Sequence, residues 1–136
     1  MTVGPAVGSP EARLAALGLA LPAVPAPLAA YVPAVRTGAH VYTAGQLPLV
    51  DGVLLMAGKV GAEVSSAEAA ALARVCALNA LAAVASVTGG LSCVVRVVKV
   101  TGFVASAPSF TGHPIQCSAG YLSIASATGA GTFNSV

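Results

Sequence analysis

Residues 65–104 read SSAEAAALARVCALNALAAVASVTGGLSCVVRVVKVTGFV, and the fold class turns on how this run divides. Ser65-Ser66-Ala67-Glu68 has the form of a capping box. The Ser65 hydroxyl accepts from an otherwise unpaired amide, and the Glu68 carboxylate reaches back to the cap amide. Gly89-Gly90 marks the other end, because glycine takes the left-handed conformation that a helix terminus often needs. The spacing therefore predicts a helix over about 67–88. Ten of the 24 residues from Ser65 to Thr88 are alanine, and only Glu68 and Arg74 are charged. A helix so small-sided and apolar is expected to pack closely on a sheet and to be covered on its other side as well. After the double glycine, Cys93 to Val104 carries Val94, Val95, Val97, Val98 and Val100. Valine on both faces predicts a central strand buried on both sides.

Upstream of the helix the pattern is one of short strands. Tyr31 to Arg36 and Ala39 to Ala44 are bounded by glycine and contain β-branched or aromatic residues, with Thr37-Gly38 read as the hairpin turn between them. Asp51-Gly52 signals another turn, and Val53 to Ala57 a third strand. Leu14 to Val35 carries no charge for 22 residues, but Pro22, Pro25, Pro27 and Pro33 interrupt it and exclude a membrane-spanning helix. Residues 1–12 read as a flexible arm, with a short helical turn or two between Glu11 and Leu19. At the other end no residue after Lys99 is charged, and Gln116 to Val136 consists largely of Ser, Ala, Gly and Thr without a clear period. The chain thus divides into an arm (1–12), one α+β domain (13–114) and a low-complexity tail (115–136).

A length of 136 residues suits one domain and leaves no room for a second. The apolar fraction is 57% and the charged fraction 7%, so the chain has little polar surface, and burial of one face against copies of itself is the expected remedy. Six basic and four acidic residues give a net charge of +2. With no cluster of Lys and Arg, this excludes a nucleic-acid footprint. Met1 to Pro10 lacks the positively charged start of a secretory signal, so the expected location is the cytoplasm. Cys76, Cys93 and Cys117 are odd in number and widely spaced, which argues against a disulfide framework or a zinc site. They read as small buried hydrophobes.

Standard catalytic arrangements are nearly absent. His40 and His113 are far apart in sequence, and neither adjoins an acid or a cysteine. Glu11, Asp51, Glu63 and Glu68 read as turn, cap and solvent residues rather than an acid–base pair. Gly58-Lys59-Val60-Gly61 lacks phosphate-loop spacing and opens no helix. One segment has chemical potential: Thr43-Ala44-Gly45-Gln46 ends a strand at a glycine. There, bare backbone could approach a small ligand, or the glycine simply turns the strand.

The runs Tyr31-Val32-Pro33-Ala34-Val35-Arg36-Thr37-Gly38 and Val41-Tyr42-Thr43-Ala44-Gly45-Gln46-Leu47-Pro48 resemble the opening of the Rid family, the reactive-intermediate deaminases also called endoribonuclease L-PSP-like proteins. Cys76-Ala77-Leu78-Asn79-Ala80-Leu81 and Val95 to Val104 fall in that family's order and spacing, and the resemblance covers about residues 13–114. It implies a chorismate-mutase-like mixed sheet packed by the long helix, a homotrimer with clefts between subunits, and hydrolysis of reactive enamines or imines to keto acids and ammonia without a cofactor or metal. Carried onto this sequence, the substrate-binding turn is Ala44-Gly45, with Tyr31 a wall of the pocket. Ala44 stands where many active members have serine.

The family's carboxylate-binding arginine, second helix and closing strands have no match after Pro114. The resemblance therefore implies a domain incomplete at its carboxyl end and no assignable catalytic residue. A shifted reading frame over the codons for Ala125 to Asn134 is one origin for such a break. Three readings follow: a deaminase, a binding protein of the same fold without chemistry, and a truncated, inactive product.

Overall fold

The computed structural model describes residues 8–24, 31–112 and 120–128. The long helix, α2, runs Ser66–Thr88 with Ser65 as its N-cap. The Glu68 amide donates to Ser65 Oγ at 3.3 Å, and the Ser65 amide donates to Glu68 Oε2 at 2.8 Å, so both halves of the box are closed. The Ser65 hydroxyl and amide together hold the Glu68 carboxyl below its usual range. A cap of this kind contributes about 1 kcal/mol. Gly89 ends the helix with φ 79 in the left-handed region, and its amide donates to Ala85 O at 2.9 Å.

The buried positions of α2 include Ala69, Leu72, Cys76, Asn79, Ala80 and Ala83, a stripe at three- and four-residue spacing. This stripe packs over the strands β1 (Ala34–Thr37), β2 (His40–Thr43) and β6 (Gly120–Thr128). The opposite side carries Ala67, Ala70, Ala71 and Arg74, all exposed. The second cover expected from the helix's composition is therefore not found among the described residues. Ser66–Thr88 is long and apolar enough to cross a membrane by length and composition alone, but here its apolar stripe packs in the core of the α+β fold.

The main sheet has the order β1-β2-β6-β5, with β5 at Val94–Val104. All its pairings are antiparallel. β1 and β2 form a hairpin with Thr37 opposite His40, so the turn is Gly38-Ala39, one residue later than Thr37-Gly38. Gly38 has φ 56, which a side chain would disfavour at the first position of such a two-residue loop. A second, two-stranded sheet pairs β3 (Leu49–Val50) with β4 (Val53–Leu54) around Asp51 (φ 51) and Gly52 (φ 79). Both turn residues have positive φ, as a type I′ hairpin requires. The predicted strand from Val53 to Ala57 is thus the second arm of this hairpin and stops at Leu54.

Two expectations are corrected. β5 lies at the sheet edge rather than its centre, and most of its residues are exposed. Register shifts between Val94 and Arg96 and between Val97 and Lys99 break its alternation, so the two-faced valine pattern reflects bulges rather than burial on both sides. The second correction concerns the tail expected from 115 to 136. Gly120–Thr128 is instead β6, paired with β2 on one side and β5 on the other. The closing strand expected to be missing is thus supplied by Gly, Ser, Ala and Thr with Tyr121, Leu122 and Ile124 among them. Backbone pairing asks little of side chains when both neighbours are present. His113, Gln116, Cys117 and residues 129–136 lie outside the described residues.

The short helix expected between Glu11 and Leu19 begins one residue earlier, at Pro10. Helix α1 spans Pro10–Ala16, capped by Ser9, whose Oγ accepts from the Ala12 amide at 3.1 Å. Glu11 then reaches across 80 residues: its Oε1 accepts from the Leu91 amide at 2.7 Å and its Oε2 from Ser92 Oγ at 3.3 Å. The amides of Glu11 itself and of Leu91 hold this carboxyl below its usual range. Leu14 packs beside the core of Ala34, Val41, Ala83, Val84 and Leu91. A second cluster, Val60, Val64, Ala69 and Leu72, is sealed by Met56, Val104 and Phe110. Full burial of each such valine contributes about 1.5–3 kcal/mol.

The placement of β6 is directly testable. Ala125 lies opposite Tyr42 on β2 and Lys99 on β5. Ala125→Pro is expected to cost about 3 kcal/mol or more in urea denaturation, because a central strand has no free side for a residue without an amide hydrogen. A tail would tolerate the change with no shift in midpoint.

Candidate functional site

The β1–β2 ladder continues past its strands. The Ala44 amide donates to Pro33 O at 2.9 Å, so the segments that carry Tyr31 and Ala44-Gly45 both leave from the same end of the hairpin. Tyr31 is 44% exposed, Ala44 is half-buried, and Gly45 is buried. Of the three, Tyr31 alone offers a widely open surface within the single chain. Gln46, buried next to Gly45, donates from Nε2 to Ala44 O at 3.2 Å and stiffens the turn.

The segment that follows is pinned to α2. Asn79, almost wholly buried, donates from Nδ2 to Leu47 O at 3.1 Å and to Leu49 O at 3.0 Å. A buried amide that satisfies two carbonyls of an irregular loop positions it as a strand partner would. Sequence reading includes Asn79 in a family motif but assigns it no role. Its signal was a lone polar residue on the apolar stripe of the helix.

Titratable groups do not converge on this turn. His40 stacks on Tyr42 with ring centroids 6.1 Å apart, on the sheet face away from α2. Glu63 accepts from the Lys59 amide at 2.8 Å, and that backbone bond holds its carboxyl below the usual range. Gly58 to Gly61 is accordingly part of a turn closed by Glu63, with Val60 bridging Val64 and Ser106. With Glu11 and Glu68 in caps and Asp51 in a hairpin turn, all four acids have structural duties. Burial pushes the Cys76 thiol up to about 11, which leaves it protonated and inert near neutral pH. Cys93 is exposed, contrary to the buried reading. Among the described residues no group of three His, Cys, Asp or Glu side chains is placed to hold a metal.

Two grooves of about 380 Å³ each open elsewhere on the chain. The first lies between Pro22 to Val24, the β3–β4 turn and α2. The second lies between α1, α2 and the start of β5. Neither is lined by Tyr31, Ala44 or Gly45.

Residues 11–131 match the family described as "YjgF/chorismate mutase-like, putative endoribonuclease". The chain belongs to this family. The match extends beyond Pro114 and takes in the whole of β6, in agreement with the corrected sheet. A YjgF-like relative by sequence is protein TCP17 of Trypanosoma cruzi, 42% identical over 106 residues, which are 78% of this chain and 66% of that protein. The chain thus spans just under two thirds of TCP17. Among solved structures, one from Shewanella oneidensis, given the same endoribonuclease description, superposes with a TM-score of 0.81 at 27% identity, covering 88% of this chain and 99% of that one. A protein of unknown function from Agrobacterium tumefaciens superposes with a TM-score of 0.71 at 30% identity, covering 87% and 90%.

The role of Asn79 in this YjgF-like scaffold is open to measurement. Asn79→Ala strands two loop carbonyls and is expected to cost about 1–3 kcal/mol. Faster amide exchange confined to residues 45–50 would accompany the loss, whereas a uniform increase across α2 would mean that Asn79 merely packs the core.

Proposed function

We propose that the chain is a Rid-type protein whose cleft centres on Ala44-Gly45, with Tyr31 as one wall, and that its enamine and imine deaminase chemistry is impaired. The reaction in question adds water to the imine tautomer of a substrate such as 2-aminoacrylate, and loss of ammonia then gives the keto acid. The observation that supports the reading is the hairpin end itself: the Ala44 amide is bonded to Pro33 O, two residues from Tyr31, in a chain of the YjgF-like family. What argues for impairment is the charge distribution, since no residue after Lys99 is cationic. A carboxylate substrate loses a bidentate guanidinium anchor, and its absence lowers turnover by about tenfold to a hundredfold. An inactive protein of the same fold that only binds small molecules is the alternative favoured by that same absence.

The assay generates 2-aminoacrylate enzymatically from serine and follows pyruvate release with the purified chain added. Little or no acceleration over the uncatalysed hydrolysis is expected. Acceleration equal to that of an intact family deaminase would show that the missing arginine is dispensable.

Self-association, as a homotrimer in the cytoplasm, belongs to the same proposal. Val35 and Tyr42 form a cross-strand pair on the sheet face away from α2 and are 51% and 49% exposed. Closure of that face by other subunits would also enclose the turn. Sedimentation is expected to give three times the 13.1 kDa of one chain, and Tyr42→Glu to give a monomer. A wild-type chain that sediments as a folded monomer at micromolar concentration would rule the trimer out.

A further inference from the structure

Gln46 is buried at the end of the β1–β2 hairpin, and its Nε2 donates to Ala44 O at 3.2 Å. The register of the two strands explains why that carbonyl takes a side-chain donor. Ala34 lies opposite Thr43, which puts Pro33 opposite Ala44, and the Ala44 amide donates to Pro33 O at 2.9 Å. In a hydrogen-bonded antiparallel pair the two residues exchange both bonds. The return bond to Ala44 O cannot form, because proline has no amide hydrogen. Gln46 supplies the donor that Pro33 lacks.

Holding that carbonyl also fixes the group one bond further on. Across a planar trans peptide the carbonyl and the following amide point in opposite directions. With Ala44 O held on the side of β1 and Gln46, the Gly45 N–H is turned to the other side of β2, where β6 runs. The β2–β6 register extends from His40 to Tyr42 and stops short of Gly45, while β6 continues beside β5 as far as Gly120. Among the described residues the Gly45 amide has no acceptor. Gly45 is buried, so an oxygen brought to this amide gains a bond for which water competes little.

We propose that Gln46 is a positioning residue: by holding Ala44 O it aims the Gly45 amide at an acceptor oxygen of a bound 2-keto or 2-imino acid. This role rests on the reading of Ala44-Gly45 as the cleft, and adds to it the residue that sets the direction of its donor. Without Gln46 the Ala44–Gly45 peptide can rotate and present its carbonyl instead, and a carbonyl offers an oxygen ligand no hydrogen. The role also ties the site to Pro33, because a donor from position 46 is required only while position 33 has none.

The test is an amide NMR titration of the full chain with pyruvate, made on the wild type, Gln46→Met, Pro33→Ala and the double variant. In the wild type the Gly45 amide is expected to shift saturably. Gln46→Met should weaken pyruvate binding about fivefold to tenfold, and Pro33→Ala alone should bind as the wild type does. The double variant should recover wild-type affinity, because an amide at position 33 again donates to Ala44 O. A residue that only stabilised the hairpin would lower the urea midpoint without moving pyruvate affinity. Binding that Gln46→Met leaves unchanged, or a loss that Pro33→Ala does not restore, would overturn the role of Gln46 and leave the cleft reading in place. No Gly45 response in the wild type up to about 50 mM pyruvate would overturn the cleft reading and this role with it. Should Gln46→Met alone not fold, the double variant decides: wild-type affinity there supports the role, and failure to fold or to bind overturns it.

Discussion

The sheet is continuous only because β6 is hydrogen-bonded on both sides. β1 and β2 form one hairpin, β5 stands apart from it, and Gly120–Thr128 joins them. Remove that strand and β2 and β5 become unpaired edges, with α2 resting on a hairpin too small to be stable by itself. α2 can lie close over β1, β2 and β6 because half of its buried residues are alanine. The small side chains of the helix and the two-sided pairing of the strand are thus parts of one arrangement.

Around that arrangement the chain uses its few polar groups economically. Each of three glutamates closes a local backbone problem: Glu68 at the start of α2, Glu63 in the turn before it, and Glu11 at the entry to β5. Asn79 does the same for the loop after Gly45. With the acids so employed, the chain keeps no spare carboxylate for acid–base chemistry.

Local signals made α2 legible to within one residue. A capping box and a glycine stop act through contacts three or four positions apart, so Ser65, Glu68 and Gly89 carry the boundaries by themselves. The turn of the β1–β2 hairpin was legible to within one residue for the same reason, although β1 begins at Ala34 rather than Tyr31. The edge position of β5 was not, because valine alternation looks the same in a buried strand and in an exposed one broken by bulges. β6 was missed because a strand paired on both sides is held by backbone groups that every residue carries, and Ser, Ala and Gly give no periodic pattern to betray it.

The sequence by itself determined the α+β class, the long helix and its ends, the hairpin that carries Tyr31, Ala44 and Gly45, and the absence of charge beyond Lys99. Tertiary structure alone decided that Glu11 docks α1 onto Leu91 from 80 residues away, that Asn79 holds Leu47 and Leu49, that the presumed tail closes the sheet, and that Gly45 is buried. The division has one physical cause. Caps and turns are set by neighbours along the chain, whereas the partners of Glu11, Asn79 and β6 are set by which backbone groups the folded chain leaves unpaired.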